Sequence, residues 1–467
     1  MTKSVVALES RAPDAPRATE IRLIRAADWP AVAEALPASV RDAARLSGFS
    51  GRSGELIVAP ASDAEGSPSV ALVGLGDGEG GAMSLRALPA RLPPGDYALD
   101  EATPADGAIA LAWALGAYRF DRYKQAPAPA FARLVAPSAI DVGRVGVVAG
   151  ACALVRDMVN TPANDMGPAE IEAEARVLAD AHGATLSVVI GDDLLDAGYP
   201  AVHAVGRAAV AARAPRMIEM TWGEAGRPLV VVIGKGVAFD TGGLDLKPSA
   251  AMRLMKKDMG GAAHALGLAS MIMALALPVR LVVLIPAVEN AVAGDAMRPG
   301  DVLASRKGLS IEVGNTDAEG RLILADALTR ATELDPDLTI DLATLTGAAR
   351  VALGPQVVPY YTDDEAVAAG LAAAAFAAED PLWRMPLWKP YGPSLDSDVA
   401  DIKNDPDGWA QAGSITAALF LQRFAPSGAW VHFDIFAWNP RGRPGWPVGG
   451  EAQAVRALLA MLEARYR

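Results

Sequence analysis

The octapeptide at positions 315–322, NTDAEGRL, carries the side chains best suited to chemistry in this chain of 467 residues. It combines the carboxylates of Asp317 and Glu319, a flexible glycine at position 320 and the guanidinium of Arg321. In an extended segment, residues two apart project to the same side, so both carboxylates can reach one cation or bridge two. The octapeptide therefore indicates a metal and oxyanion site, although an acidic residue before a helix is also a common cap.

Two further segments deliver acidic side chains. Residues 229–233 form a continuous apolar run, typical of a strand buried on both faces, and Lys235, Asp240 and Lys247 follow it. Asp258 stands where a predicted helix begins, which runs to about residue 276. Converging carboxylates repel one another unless a cation holds them, so three acidic segments together favour a metal cluster. Taken singly, each residue has an ordinary alternative as a surface lysine, a helix cap or a surface ion pair.

Four more segments stand out in the second part of the chain: VNTPANDM at 159–166, RPGDV at 298–302, ATLTGA at 343–348 and DSDVADIKN at 396–404. With the octapeptide and GKGVAFDTGGLDLKPS at 234–249, they resemble the leucyl aminopeptidase family, also called the cytosol aminopeptidase family. The members of this family are dinuclear metallo-exopeptidases. The resemblance covers the chain from about residue 154 to its end.

The resemblance implies two divalent metal ions per subunit. These would be Zn²⁺ or Mn²⁺, with Mg²⁺ or Co²⁺ as options in one position, because oxygen ligands discriminate poorly among such ions. The implied ligands are Lys235, Asp240, Asp258, Asp317 and Glu319. Asp240 and Glu319 would bridge the two ions, and Lys235 would have to be neutral, since an ammonium has no lone pair.

The resemblance also implies catalytic roles for Lys247 and Arg321. A water between two metal ions would be the nucleophile, because a divalent ion lowers the pKa of water from about 15.7 towards ~7. Lys247 would stabilise the oxyanion of the tetrahedral intermediate, and Arg321 would hold a bicarbonate ion that acts as general base. The pocket for the first side chain of the substrate is assigned to Met255, Asn315, Thr344 and Gly347.

Other patterns restrict the function. The four histidines are scattered and no His-Glu-x-x-His motif occurs, so a zinc site built on imidazoles is disfavoured. Cys152 is the only cysteine, which excludes an intrachain disulfide and, with no secretory segment in view, predicts a cytoplasmic protein. No stretch is long and apolar enough to span a membrane. The net charge of −13 argues against nucleic acid as a partner.

The predicted fold class is α/β. A small N-terminal α/β domain at 1–139, with a Pro/Ala-rich linker near 125–130, precedes a larger catalytic domain at 140–467. The catalytic domain should contain a mixed, mainly parallel sheet flanked by helices. A hydrophobic fraction of 52% favours oligomerisation, and the resemblance implies a homohexamer, a dimer of trimers.

The resemblance implies a metal-dependent aminopeptidase that hydrolyses the N-terminal bond of peptides with a free amino terminus. Leucine and other large apolar residues are the expected first residues. A two-metal phosphoesterase is an alternative, but such centres usually contain histidines. A regulatory protein without turnover on the same fold is the second alternative.

Overall fold

The computed structural model describes residues 8–10, 18–62, 69–77, 81–100, 103, 106–125, 130–406, 409 and 411–467. The chain divides into two compact units: Met1–Ala153 with Arg441–Val448, and Leu154–Pro440 with Gly449–Arg467. The domain boundary near residue 139 stays a prediction. Most of the predicted Pro/Ala linker, at 126–129, lies outside the described residues.

The first unit is built on one sheet. Its strands are β1 (Leu8–Ser10), β2 (Thr19–Arg25), β3 (Leu56–Pro60), β4 (Ser69–Gly76), β5 (Gly95–Leu99) and β6 (Ala132–Ala136). Within the described residues, they lie in the order β1-β6-β5-β2-β4-β3, and only β3 is antiparallel to its neighbour. The helices are α1 (Trp29–Ala35), α2 (Ala38–Leu46), α3 (Leu88–Arg91) and α4 (Gly107–Gly116).

The residue pattern over 30–46 predicts one helix, but the structure has two there, α1 and α2. The break lies at Leu36, whose backbone is extended with ψ at 150°. Leu36 precedes Pro37, and a residue before proline is pushed out of the helical region by a clash with the proline ring.

The helix α5 (Val142–Asn160) runs through the point where the two units divide. The remaining helices belong to the second unit: α6 (Pro168–His182), α7 (Asp193–Asp196), α8 (Pro200–Gly206), α9 (Ser249–Met252), α10 (Gly260–Ala274), α11 (Glu319–Thr332), α12 (Gly347–Leu353), α13 (Glu365–Ala377), α14 (Gly413–Gln422) and α15 (Val455–Tyr466). Along the described ranges, no helix is long and apolar enough to cross a membrane.

The strands of the second unit are β7 (Thr185–Ile190), β8 (Arg216–Trp222), β9 (Leu229–Gly234), β10 (Gly236–Asp240), β11 (Arg280–Asn290), β12 (Val302–Ala304), β13 (Ser310–Glu312), β14 (Leu338–Ala343), β15 (Val358–Tyr361), β16 (Leu382–Arg384), β17 (Ile402–Lys403), β18 (Trp430–Asp434), β19 (Trp438–Asn439) and β20 (Gly449–Gly450). The main sheet has the order β16-β15-β18-β14-β9-β11-β8-β7, and β10 also pairs with β11.

The main sheet is mixed and mainly parallel, which confirms the predicted fold class. Its central strands β18, β14, β9 and β11 run in the same direction. Residues Val230 to Ile233 of β9 have no exposed surface, as expected for a strand covered on both faces. Because these four strands are parallel, their carboxyl ends lie at one edge of the sheet, where side chains with a function collect.

The octapeptide differs from its predicted conformation. Apolar residues at helical spacing over 322–334 predict a helix that begins after the octapeptide's charged residues, but α11 begins three residues earlier, at Glu319, so Gly320 and Arg321 are helical. Asp317 lies in a turn rather than in an extended segment. The apolar spacing that marks the helix starts only at Leu322, because the first turn of α11 carries polar groups instead.

Candidate metal centre

The candidate site lies at the carboxyl ends of the parallel strands. Lys235 follows β9 directly, and Asp240 is the last residue of β10. Asp258 comes between a short 3-10 turn, Met255–Lys257, and the start of α10. Asp317 and Glu319 enter from the turn before α11 and from its first residue. The topology of the sheet thus gathers three distant segments at one edge.

Three carboxylates meet at this edge. One oxygen atom from each of Asp240, Asp317 and Glu319 lies within 4.8 Å of the others. Asp258 joins them through Lys235, whose Nζ is 2.7 Å from Asp258 Oδ2 and 2.9 Å from Glu319 Oε1. The structure therefore brings together the five residues that the sequence assigned to metal ions.

Lys247 closes the cluster on its more open side. Its Nζ is 2.9 Å from Asp240 Oδ2 and also contacts Asp317 Oδ1. The side chain of Lys247 keeps 12% of its surface exposed, against 4% for Lys235. Lys247 is consequently the lysine that a molecule entering from solvent can reach.

Four carboxylates outnumber the ammonium groups around them: Lys235 and Lys247 contact them directly, and the charge of the buried Lys257 also acts on Asp258. Burial and repulsion by Asp240 raise the pKa of Glu319 to about 8 and that of Asp317 to about 6. Burial opposes the charge of Lys235, but attraction by Asp258 and Glu319 outweighs it and raises its pKa above the ordinary value. Burial likewise disfavours the charged form of Asp258, yet attraction by Lys235 outweighs it, and the pKa of this carboxyl is lowered. The excess negative charge suits divalent cations.

The carboxylate oxygens of the cluster give a second indication of a cation. Asp258 Oδ2, Asp317 Oδ1 and Glu319 Oε1 are buried, and each lies against a lysine nitrogen without the angles of a hydrogen bond to any described residue. Buried acceptors without hydrogen bonds are costly, and metal coordination is one way to satisfy them. The set of carboxylate oxygens and one amine fits Mn²⁺ or Zn²⁺.

Gly320 has a different role from the flexibility expected of it. A Cβ atom at this position would lie 2.6 Å from Cε and 2.7 Å from Nζ of Lys235. Such distances are shorter than van der Waals contact, so only glycine leaves room for Lys235 to reach Glu319. Gly320 thus provides space within the first turn of α11.

Arg321 is buried on α11 and partly free of protein partners. Its Nη1 donates to the carbonyl oxygen of Asn404, while its Nε has no hydrogen-bond partner in the part of the chain that the structure describes. The guanidinium lies in the field of Glu319, Asp405 and Asp434. A planar donor group that is buried and incompletely satisfied is suited to an oxyanion.

The four residues assigned to the substrate pocket have different surroundings. Thr344 directs its hydroxyl to Asp258, donating to Oδ1 at 2.8 Å, and its carbonyl oxygen accepts from Lys235 at 3.0 Å. Asn315 uses its Oδ1 to accept from the backbone nitrogen of Asp317 at 2.8 Å. Met255 is partly exposed, and Gly347 is exposed at the start of α12. Thr344 and Asn315 are therefore tied to the metal-binding segments.

Several supporting residues were not recognised from the sequence. Asn290, the last residue of β11, donates from Nδ2 to Asp240 Oδ1 at 2.9 Å and to the carbonyl of Thr316 at 3.1 Å. Asp245 accepts from the backbone nitrogen of Thr316 at 2.7 Å. A polar residue that ends an apolar strand, as Asn290 does, is a signal that could have indicated this position.

The histidines contribute no ligand to the cluster. His264 on α10 is buried between the carbonyl of Gly260 and the backbone nitrogen of Gln453, and burial lowers its pKa to about 4. His432 is buried beside Asp341, whose carboxylate it contacts through Nδ1. Among the described residues, the group of possible metal ligands is made of carboxylates.

Comparison with known proteins identifies the family of this chain. The model described as the catalytic domain of the cytosol aminopeptidase family matches residues 153–459, and that of the M17 aminopeptidase N-terminal domain matches residues 19–137. The chain belongs to the cytosol aminopeptidase family. Cytosol aminopeptidases are metal-dependent, so the chain is a metal-dependent aminopeptidase, a hydrolase of the leucyl aminopeptidase type.

Individual relatives agree with the family. A probable cytosol aminopeptidase of Syntrophotalea carbinolica is 42% identical over 366 residues, covering 75% of this chain and 73% of the relative. Its counterpart in Rhizobium meliloti is 37% identical and covers 91% of this chain and 90% of the relative. These relatives support an aminopeptidase over both the phosphoesterase and the regulatory protein without turnover.

Solved structures share the fold over almost the whole chain. The crystal structure of the cytosol aminopeptidase from Coxiella burnetii has a TM-score of 0.93 and 42% identity, covering 99% of this chain and 100% of that one. The bottromycin maturation enzyme BotP, in complex with Mn, has a TM-score of 0.84 and 33% identity, covering 96% of this chain and 99% of that one.

Proposed function

We propose that this cytosol aminopeptidase removes leucine and other large apolar residues from the free amino termini of peptides. The observation that carries the proposal is the meeting of Asp240, Asp317 and Glu319 within 4.8 Å, beside the Lys235–Asp258 pair. Lys235, Asp240, Asp258, Asp317 and Glu319 would hold two divalent ions, Mn²⁺ or Zn²⁺, with Mg²⁺ or Co²⁺ as options in one position. When bound, these ions supply Lewis acidity and bring the pKa of a shared water towards neutrality, which gives the reaction its nucleophile.

Lys247 stabilises the charge that develops on the substrate. Its ammonium stays charged because, although burial opposes the charge, attraction by Asp240 raises its pKa. As the carbonyl carbon of the peptide becomes tetrahedral, Lys247 donates to the former carbonyl oxygen, a contact worth about 3 to 4 kcal/mol. The partial exposure of Lys247 lets the substrate reach it.

Arg321 holds the proton acceptor. With the donor atoms that Asn404 leaves unused, Arg321 would hold a bicarbonate ion, which would supply the general base. Burial keeps water from competing for the guanidinium, so the binding is stronger than at a surface arginine.

The amino terminus and first side chain of the peptide determine the specificity. The excess negative charge of the cluster attracts a free α-amino group, and an acetylated amino group lacks the charge that this requires. Met255, Asn315, Thr344 and Gly347 line the pocket for the first side chain. A flexible methionine adapts to apolar side chains of different shapes. At Gly347, no described atom lies within 4 Å of the place that a Cβ atom would occupy, so there is open space beside it.

Two further properties complete the proposal. The chain assembles as a homohexamer, a dimer of trimers, and acts in the cytoplasm. The hydrophobic fraction of 52% and the family resemblance support self-association.

A panel of leucine derivatives tests the activity. Protein loaded with Mn²⁺ should hydrolyse leucine p-nitroanilide, and removal of the metal with a chelator should abolish the release of nitroaniline, measured by its absorbance. N-acetyl-leucine p-nitroanilide should remain intact. Hydrolysis of the acetylated compound at a rate comparable to the free one would rule out the proposal.

The substitution Glu319→Gln tests the role of Glu319 as a metal ligand. It should lower kcat/KM by more than about 100-fold, because removal of a ligand costs more than removal of a supporting residue. Glu312→Gln is the control, since Glu312 lies on β13 of the preceding segment and contacts Ser397 rather than the cluster. Equal rates for the two variants would contradict the assignment of Glu319.

A further inference from the structure

The segment DSDVADIKN at 396–404 ends beside the candidate metal centre, and the reaction described above gives it no role. Its last residue, Asn404, follows β17 and has no exposed surface. Strand β17 pairs in parallel with β13, and the backbone nitrogen of Asn404 continues this pairing by donating to the carbonyl of Glu312 at 3.0 Å. Asn404 is therefore anchored next to the octapeptide by backbone contacts.

The side-chain amide of Asn404 is saturated with hydrogen bonds to this octapeptide and the glycine before it. Its Oδ1 accepts from the backbone nitrogens of Gly314 at 2.8 Å and Asn315 at 3.2 Å. Its Nδ2 donates to the carbonyl oxygens of Asn315 at 2.7 Å and Ala318 at 3.3 Å. An asparagine amide offers two donor hydrogens and two acceptor lone pairs, so its capacity is used in full.

These contacts surround the acidic residues of the loop. The amide bonds to Asn315 and Ala318, which lie on either side of Asp317 in sequence. Ala318 is also the residue directly before Glu319. In addition, the main-chain carbonyl of Asn404 accepts from Nη1 of Arg321. One buried residue thus fixes the turn that carries two acids and, through its own backbone, the guanidinium on α11.

We propose that Asn404 is the positioning residue of the metal centre: it holds Asp317 and Glu319 at the spacing needed for divalent cations and sets Arg321 relative to them. Asn404 touches neither the cations nor the peptide. The inference rests on the proposed role of Asp317 and Glu319 as metal ligands. Residues that orient ligands in this way typically contribute about 10- to 100-fold to metal affinity.

Asn404→Ala removes the amide, so the backbone nitrogens of Gly314 and Asn315 and the carbonyl of Ala318 lose its hydrogen bonds, while the carbonyl of Asn315 keeps the backbone nitrogen of Ala318 at 3.2 Å. We expect this partly buried turn to relax so that the groups that lost the amide find new contacts. The two carboxylates then lose their fixed spacing. The affinity of the metal-free protein for Mn²⁺, measured by isothermal titration calorimetry, should fall by about 10- to 100-fold.

Asn160→Ala is the matched control. Asn160 is also a buried asparagine, and its Oδ1 accepts from the backbone nitrogen of Gly450 at 2.8 Å, away from the octapeptide. This variant should lose thermal stability through the same kind of defect but keep the Mn²⁺ affinity of the unchanged protein. Denaturation midpoints of both metal-free variants separate a loss of stability from a loss of ligand geometry.

Asn404→Asp is the second variant, and it decides the question if Asn404→Ala does not fold. It keeps the size of the side chain and both accepting contacts, but places a carboxylate oxygen against the carbonyls of Asn315 and Ala318. Its added negative charge would favour a cation, so weaker Mn²⁺ binding by this variant can arise only from altered geometry of the turn.

The outcomes are distinct. Weaker Mn²⁺ binding by the Asn404 variants, with unchanged affinity in Asn160→Ala, supports the proposal. Affinity in the Asn404 variants equal to that of Asn160→Ala, or tighter binding by Asn404→Asp, overturns it while leaving the proposed function intact. Failure of the unchanged protein to bind Mn²⁺ and, in the same titration, Zn²⁺ overturns the proposed function, and the role of Asn404 with it.

Discussion

At the scale of single residues, the centre depends on how closely α11 approaches Lys235. Gly320 lies in sequence between Glu319, a proposed metal ligand, and Arg321, yet its own contribution is the absence of a side chain. The sequence and the family resemblance indicated which charged residues belong to the candidate metal centre. They could not indicate why position 320 is glycine, because that depends on the direction in which Lys235 points after folding.

Gly320→Ala tests this close approach. The added methyl group would lie 2.6 Å from Lys235 Cε, so Lys235 must move away from Glu319. Overpacking of this kind destabilises a protein by about 1 to 3 kcal/mol, and we expect Mn²⁺ affinity and peptidase activity to fall as well. Urea denaturation of the metal-free protein and calorimetric titration with Mn²⁺ measure the two effects.

The control for this substitution is Gly150→Ala. Gly150 lies within α5, and outside its own helix turn no described atom is within 4 Å of a Cβ built there. Alanine in such a place should leave stability unchanged or raise it by up to about 1 kcal/mol. Similar losses in both variants would show that loss of glycine, rather than the contact with Lys235, is responsible.

At the scale of elements, α11 is fixed at two points. Its first turn carries Glu319 and Arg321, and Asp326, farther along, accepts from the backbone nitrogens of Ala201 at 2.8 Å and Val202 at 3.2 Å. Asp326 also accepts from the backbone nitrogen of Arg306 at 2.8 Å. The apolar spacing predicted this helix, but nothing in the sequence distinguishes Asp326 from a surface acid, because its partners lie far away in the chain.

Asp326 should make stability depend on pH. Burial raises its pKa from 3.8 to about 7, against the effect of the three backbone donors. Between these values the folded protein binds a proton that the unfolded chain has released, so this group lowers stability as pH rises from about 4 to 7. The denaturation midpoint should therefore fall from pH 5 to pH 7.5 more steeply in the unchanged protein than in Asp326→Asn.

For Asp326, the informative quantity is the difference between the two proteins in how steeply the denaturation midpoint changes with pH. The asparagine variant will be less stable at every pH, because its amide nitrogen faces a backbone donor. Groups that titrate in both proteins cancel when the two slopes are subtracted. Parallel pH profiles would mean that Asp326 does not titrate in this range.

At the scale of the whole molecule, the sequence predicted the second unit better than the first. Long apolar runs such as residues 229–233 predict central strands of the main sheet. In the first unit, the unpredicted strands β5 and β6 lie at the middle of the sheet, between β2 and β1. They are short and include polar residues such as Asp96 and Arg133, so pairing with distant strands, rather than local pattern, makes them strands.

The mass of the particle in solution tests the proposed assembly. A homohexamer has about six times the 48.2-kDa mass of the chain, and light scattering coupled to size-exclusion chromatography measures it directly. A stable assembly should keep this mass on dilution. A single species of one chain mass at all concentrations would contradict the hexamer.

If Lys235 is a metal ligand as proposed, its pairing with Asp258 and Glu319 makes metal binding release a proton. A divalent ion that uses the amine of Lys235 must displace a hydrogen ion that two neighbouring carboxylates hold firmly. Protons and divalent metal ions therefore compete for the same nitrogen and oxygen atoms. The active fraction of a preparation will reflect the pH of its storage buffer as well as its metal content, and activation after acid exposure will require both neutralisation and added metal.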